Sequence, residues 1–89
     1  MNFPHKKIKA PTDSMSKYYK DLFTRNQSKW IRRSKLEPHH IDSEFMLEDG
    51  KFFLRGSVNS TQVLIQSDSE NEFMMVSIDL VSEAILGEK

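Results

Sequence analysis

The spacing of apolar residues changes period once along this 89-residue chain, which confines it to a helical region followed by a sheet. Thr12, Asp13 and Ser14 are all good helix N-caps. After them, Met15, Tyr18, Tyr19, Leu22 and Phe23 recur at three- and four-residue steps, one apolar stripe on an α-helix. The stripe falters at Asn26-Gln27-Ser28, where Ser28 is placed to cap a second short helix carrying Trp30 and Ile31. Pro38 ends the helical region, because the residue before a proline avoids the helical well.

From Ser43 the period is two. Phe45-Met46-Leu47 reads as a strand, and Glu48-Asp49-Gly50 supplies the Asp-Gly pair of a tight hairpin. Residues 51–58 make a second strand, with Phe52, Leu54 and Val58 on one face and Phe53 and Arg55 on the other. Asn59-Ser60 turns into a third strand over 61–67, and Asp68-Ser69-Glu70-Asn71 into a fourth over 72–78. Asp79 is placed to cap one short helical turn, leaving 83–86 as a last strand or a short helix.

Both strand faces are apolar. Phe52, Leu54, Val63, Ile65, Met74, Val76 and Ile78 form one layer, and Phe53, Leu64, Phe73 and Met75 a smaller second one. A half-solvated sheet would carry polar residues on the second face, so the Met15–Phe23 stripe is expected to cover it. The expected class is α+β: one N-terminal helix or two, packed on a small, strongly bent antiparallel sheet or barrel of four to five strands. Residues 1–11, with two prolines and three lysines, read as a flexible basic arm. Residues 12–89 then form a single domain, helical over 12–37 and β over 43–86.

The chain has no cysteine, which excludes disulfides, thiolate nucleophiles and Cys-ligated zinc. No apolar run approaches the ~20 residues that span a bilayer, and no signal-peptide core follows Lys6, Lys7 and Lys9. A soluble cytoplasmic protein without a membrane partner is expected.

The tract over 45–86 resembles small SH3-like β-barrels, including the Sm-like variety. The matching pieces are the leading helix, Leu47-Glu48-Asp49-Gly50 as a glycine-bearing first hairpin, Gly56 inside the second strand, and Ser77-Ile78-Asp79-Leu80-Val81. The resemblance implies five short strands, a strongly bent second strand and a single helical turn before the last. Glycine in a strand interior often marks such a bend or bulge. The gap from Gly50 to Gly56 is one residue longer than usual in Sm-like proteins, and the turns here do not reproduce their RNA-contacting loops, so the resemblance carries the fold and no RNA site. The overall style is similar to small accessory proteins of tailed bacteriophages.

Formal charge is zero only by cancellation: ten of the thirteen basic residues lie in 1–40 and ten of the thirteen acidic ones in 41–89. Lys29-Trp30-Ile31-Arg32-Arg33-Ser34-Lys35 combines clustered cations with an aromatic ring, the pairing that phosphate contact and base stacking require. With Arg25 added, the candidate nucleic-acid contact set is Arg25, Lys29, Trp30, Arg32, Arg33 and Lys35. The competing reading tucks Trp30 and Ile31 into the core while the charges solvate an outer face. Lys17 and Lys20, opposite the apolar stripe, read as a solvated helix face.

His39-His40 lacks the spacing and companions of a metal site, and titrates in the range of a pH-sensitive hinge between the two halves. Asp68-Ser69-Glu70-Asn71-Glu72 lacks the central glycine of a calcium loop and reads as a hairpin turn. No nucleophile elbow or glycine-rich phosphate loop is present. No metal, cofactor or catalysis is therefore expected. The function expected is a non-enzymatic nucleic-acid-associated module. Its alternatives are a small regulator or inhibitor docking on a larger protein, and a homo-oligomer assembled through the opposed charges.

Overall fold

The computed structural model describes residues 3–25, 35–48, 50–59, 61–69 and 71–87. In chain order these form β1 (Lys6–Ile8), α1 (Asp13–Arg25), a 3-10 turn (Pro38–His40), β2 (Glu44–Leu47), β3 (Gly50–Ser57), β4 (Gln62–Ser67), β5 (Phe73–Ser77) and α2 (Ile78–Leu86). The class is α+β. All five strands join one antiparallel sheet in the order β1-β5-β4-β3-β2, which leaves β1 and β2 as its two edges.

Residues 3–11 depart from the expected free arm. Phe3 is buried and meets Phe52 edge-on, with ring centroids 5.8 Å apart. Lys6, Lys7 and Ile8 then pair with Met75, Met74 and Phe73, so the first helix follows a strand. Three residues cannot display a period. They extend because the outer edge of β5 offers unpaired backbone groups and Phe3 anchors the approach.

The two strand layers are as expected. Phe52, Leu54, Val63, Ile65, Met74, Val76 and Ile78 all enter the buried core, joined by Phe45, Leu47 and Val81. On the other face Leu64 is buried and Phe53, Phe73 and Met75 are half-buried. The sheet register slips between Leu54 and Gly56, leaving Arg55 as the extra residue of a bulge, where the interior glycine pointed. The first hairpin closes one residue early: Leu47 pairs with Gly50 and Glu48 takes the left-handed conformation at φ 55°. Gly50 therefore begins β3. A Cβ there would lie 2.9 Å from the buried Phe52 ring, so its value is room beside an aromatic rather than a positive φ.

Helix α1 starts where its cap residues placed it, with the Thr12 hydroxyl accepting from the Met15 amide at 3.2 Å. Its buried face is turned by roughly 60° from the apolar stripe, at 100° per residue. Ser16, Tyr19, Lys20, Leu22 and Phe23 face inward, while Met15 and Tyr18 remain 40% and 47% exposed. The cause is Gly56, which lets the α1 backbone settle at Tyr19 directly onto β3. Lys20 thus leaves its expected solvated face, and Lys17 keeps it.

The expected helical region over 12–37 is shorter at its far end. Lys35 has φ 68°, Leu36 is fully buried, and Glu37 is extended at φ −128°, ψ 164°. Pro38 opens the 3-10 turn instead of following a helix. The second helix expected around Trp30 and Ile31 lies outside the described residues. At the other end of the chain, Ser77 rather than Asp79 caps α2, accepting from the Asp79 amide at 3.2 Å. The helix runs without interruption to Leu86, so 83–86 is not a strand. Gly87, left-handed at φ 62°, closes it.

Candidate functional site

Asp42 ties α1 to the sheet. Its Oδ1 accepts from Arg55 at 2.6 Å, and its Oδ2 from the Lys20 ammonium at 3.2 Å. Arg55 also donates from Nε to Gln66 at 2.9 Å and lies 4.8 Å above the Phe53 ring. Gln66 in turn donates to Asn71 at 2.6 Å. Burial pushes the Asp42 carboxyl up, but the hydrogen bonds from Arg55 and Lys20 outweigh it and hold the pKa below its ordinary value. Beside this network Ser16, Lys20, Arg55, Leu64, Gln66 and Phe73 line a cleft of about 180 Å³. Lys20 and Arg55 are thus engaged internally, holding the helix in place.

Other cations stand free. Lys6, Lys9, Lys17, Arg25 and Lys35 are exposed and form no ion pair among the described residues. Lys7 reaches Glu72 at 3.3 Å, and Lys51 approaches Glu44 at 3.9 Å. Of the expected contact set, Arg25 ends α1 and Lys35 occupies the left-handed turn; Lys29, Trp30, Arg32 and Arg33 lie outside the described residues. The described flanks are still informative. Phe23 and Leu36 both belong to the buried core. Between them, residues 24–35 carry Arg25, Lys29, Arg32, Arg33 and Lys35 with no acidic residue.

The histidine pair sits on the 3-10 turn with ring centroids 4.2 Å apart. The Glu37 amide donates to His40 Nδ1 at 2.9 Å, which requires the imidazole to be unprotonated there. His39 Nδ1 lies 3.5 Å from the Glu37 carboxylate. Burial foremost, and the neighbouring His39, lower the His40 pKa against the opposing pull of Glu37. A group whose neutral form is favoured by folding contributes stability above its unfolded pKa of about 6.5, and loses it as pH falls through the lower folded value. Between pH 7.5 and 5.5 the wild type should therefore lose roughly one hydrogen bond's worth of stability, about 1 kcal/mol or less. His40→Asn keeps an acceptor without the titration and should flatten that limb. An equal loss of urea-unfolding free energy between the two pH values in the wild type and His40→Asn would remove His40 as the cause.

A second concavity, about 500 Å³, runs between β2 and α2 and is lined by Met46, Leu47, Glu48, Leu80, Glu83, Ala84 and Gly87. Leu47, Leu80 and Ala84 bring apolar groups to it, and Glu48 and Glu83 acidic ones. The sequence hides this groove, because it forms where an edge strand meets the helix that packs across it.

No family model, curated protein or solved structure matches the chain. Among the described residues, no helix is long and apolar enough to cross a membrane, and no cluster of three potential metal ligands occurs.

Proposed function

We propose that the chain is a non-enzymatic, nucleic-acid-associated binding module whose contact surface is the tract over 24–35. The observation carrying this reading is the anchoring of an acid-free, five-cation tract between two core residues, Phe23 and Leu36. A phosphate backbone is bound by several cations delivered together, and tethering both ends of a tract lowers the ordering cost of presenting them. The exposed ammonium and guanidinium groups of Lys17, Arg25 and Lys35 support it. The SH3-like course suggested for 45–86 belongs to the same proposal. The bulged third strand supports it, whereas the single helical turn is here a nine-residue helix with no strand after it among the described residues.

Binding of a fluorescein-labelled 20-base-pair duplex, followed by anisotropy across a salt series, tests the assignment. Five phosphate contacts give a log–log slope near −4.5, about −0.9 for each. Arg25→Ala with Lys35→Ala should reduce the slope by about 2 and weaken binding similarly on unrelated sequences. An unchanged slope and affinity in that variant, or no wild-type binding at ~0.05 M salt, overturns the reading.

A second reading, docking on a larger protein, is favoured by the groove between β2 and α2, where Leu47, Leu80 and Ala84 lie beside Glu48 and Glu83. Apolar groups beside carboxylates suit protein partners better than phosphates.

A further inference from the structure

The two edges of the sheet carry opposite charge, on both faces. On β1, Lys6 stands opposite Met75 and so lies on the face covered by α1, while Lys7 stands opposite Met74 and lies on the core face that α2 covers. Lys9 follows immediately. On β2, Glu44 pairs with Phe53 and lies on the α1 face, its carboxylate 3.9 Å from Lys51 and still largely exposed. Glu48 and Glu83 rim the groove on the α2 side. Each edge also presents the outward backbone groups that any edge strand leaves without a ladder partner.

We propose that β1 of one copy adds to β2 of the next, extending the sheet head to tail and closing the groove between β2 and α2. Three features of the fold specify this occupant. Successive neighbours in the order β1-β5-β4-β3-β2 are all antiparallel, so β1 and β2 run in the same direction. A copy placed beside β2 with its faces preserved therefore forms a parallel ladder. In that placement Lys6 meets Glu44 on the α1 face, and Lys9, unlike the Lys7 that Glu72 holds, approaches Glu48 and Glu83 on the α2 face. Two-fold pairing is opposed, because β2 against β2 sets carboxylate against carboxylate and β1 against β1 sets lysine against lysine. The contact is consequently heterologous, and it propagates into a ring or a filament rather than stopping at a symmetric dimer.

This contact does not use the cations of 24–35, so it stands or falls separately from nucleic-acid binding. Light scattering on nuclease-treated full-length protein tests it. The wild type should grow in mass with concentration at ~0.05 M salt and return to monomer at ~1 M. Lys6→Glu with Lys9→Glu blocks the β1 edge, and Glu44→Lys with Glu83→Lys blocks the β2 edge. Each doubly substituted chain, with circular dichroism unchanged, should be monomeric alone. Mixed, the acidic β1 edge of the first meets the basic β2 edge of the second, and the untouched edges still match, so both junctions are complementary and the two chains should co-assemble into salt-sensitive oligomers of alternating copies. A monomeric wild type at low salt overturns the proposal. So does a dimer that survives both sets of substitutions, or a mixture that stays monomeric. If circular dichroism shows that either variant fails to fold, the same mixing experiment with Lys6→Gln and Glu83→Gln reads out a weakened, still salt-sensitive association.

Discussion

Gly56→Ala is expected to cost about 3 kcal/mol and to loosen α1 from the sheet while β4 and β5 stay protected. An added Cβ would lie 2.7 Å from both the carbonyl carbon and the Cβ of Tyr19, and 2.8 Å from its carbonyl oxygen. Two of these are helix backbone atoms, so no rotamer change relieves them. Gly56 is not in the left-handed region, so the backbone itself accepts alanine and the effect reports the close approach alone. Lifting α1 by even a fraction of an ångström strains the Lys20–Asp42 contact and draws Phe23 from a fully buried position. Urea unfolding gives the free energy, and amide exchange compared between α1 and β4 gives its location. A loss below ~0.5 kcal/mol, within the range of ordinary surface substitutions, would mean that the helix does not rest on β3 as described.

Phe52→Ala is expected to be more damaging, at about 3–5 kcal/mol. The ring is 2% exposed and sits between Phe3, edge-on at 5.8 Å, and Phe45, stacked at 6.1 Å. Its removal leaves a cavity and also releases Phe3, the anchor that brings β1 to the sheet. A domain of this size has total stability on the order of 5–15 kcal/mol, so one substitution takes a large part of it. Thermal unfolding should shift down by well over ~10 °C. Exchange of the Lys6–Ile8 amides should rise more than that of β4. Protection of β1 equal to wild type would show that the strand is held by its ladder alone and not by the aromatic cluster.

How much of this was legible depends on the length of each signal. Helix α1 was readable because Met15 to Phe23 sample two turns, and its cap Thr12 was readable because an N-cap is a local hydrogen bond. The inward strand layer was equally clear, since period-two burial over four strands leaves few alternatives. Strand β1 was not legible. Lys6-Lys7-Ile8 has no intrinsic preference that distinguishes it from a basic tail, and it becomes a strand because β5 has an open edge. The rotation of α1 was hidden for a related reason. The stripe maximises apolar spacing, but the side chains that face inward are chosen by where a glycine lets two backbones touch. Lys20 was misread with it, because its partner Asp42 is distant in sequence and near only in the fold.

For the candidate sites, the contrast is sharper. The acid-free run of cations over 24–35 is a property of composition, and the sequence displays it in full. Its tethering by Phe23 and Leu36 is a property of the core. The charge imbalance between the two halves was visible as well, yet only strand order turns it into two oppositely charged sheet edges.

Sequence alone determined which segments bury apolar faces, where the period changes from helix to strand, and how charge is divided along the chain, because all three depend on neighbours within a turn or a few residues. Tertiary structure decided the strand order, the face of α1 that meets the sheet, the recruitment of β1 and the groove beside β2. Those outcomes arise from contacts between residues far apart in the chain, where open edges and room for a backbone to approach outweigh local preference.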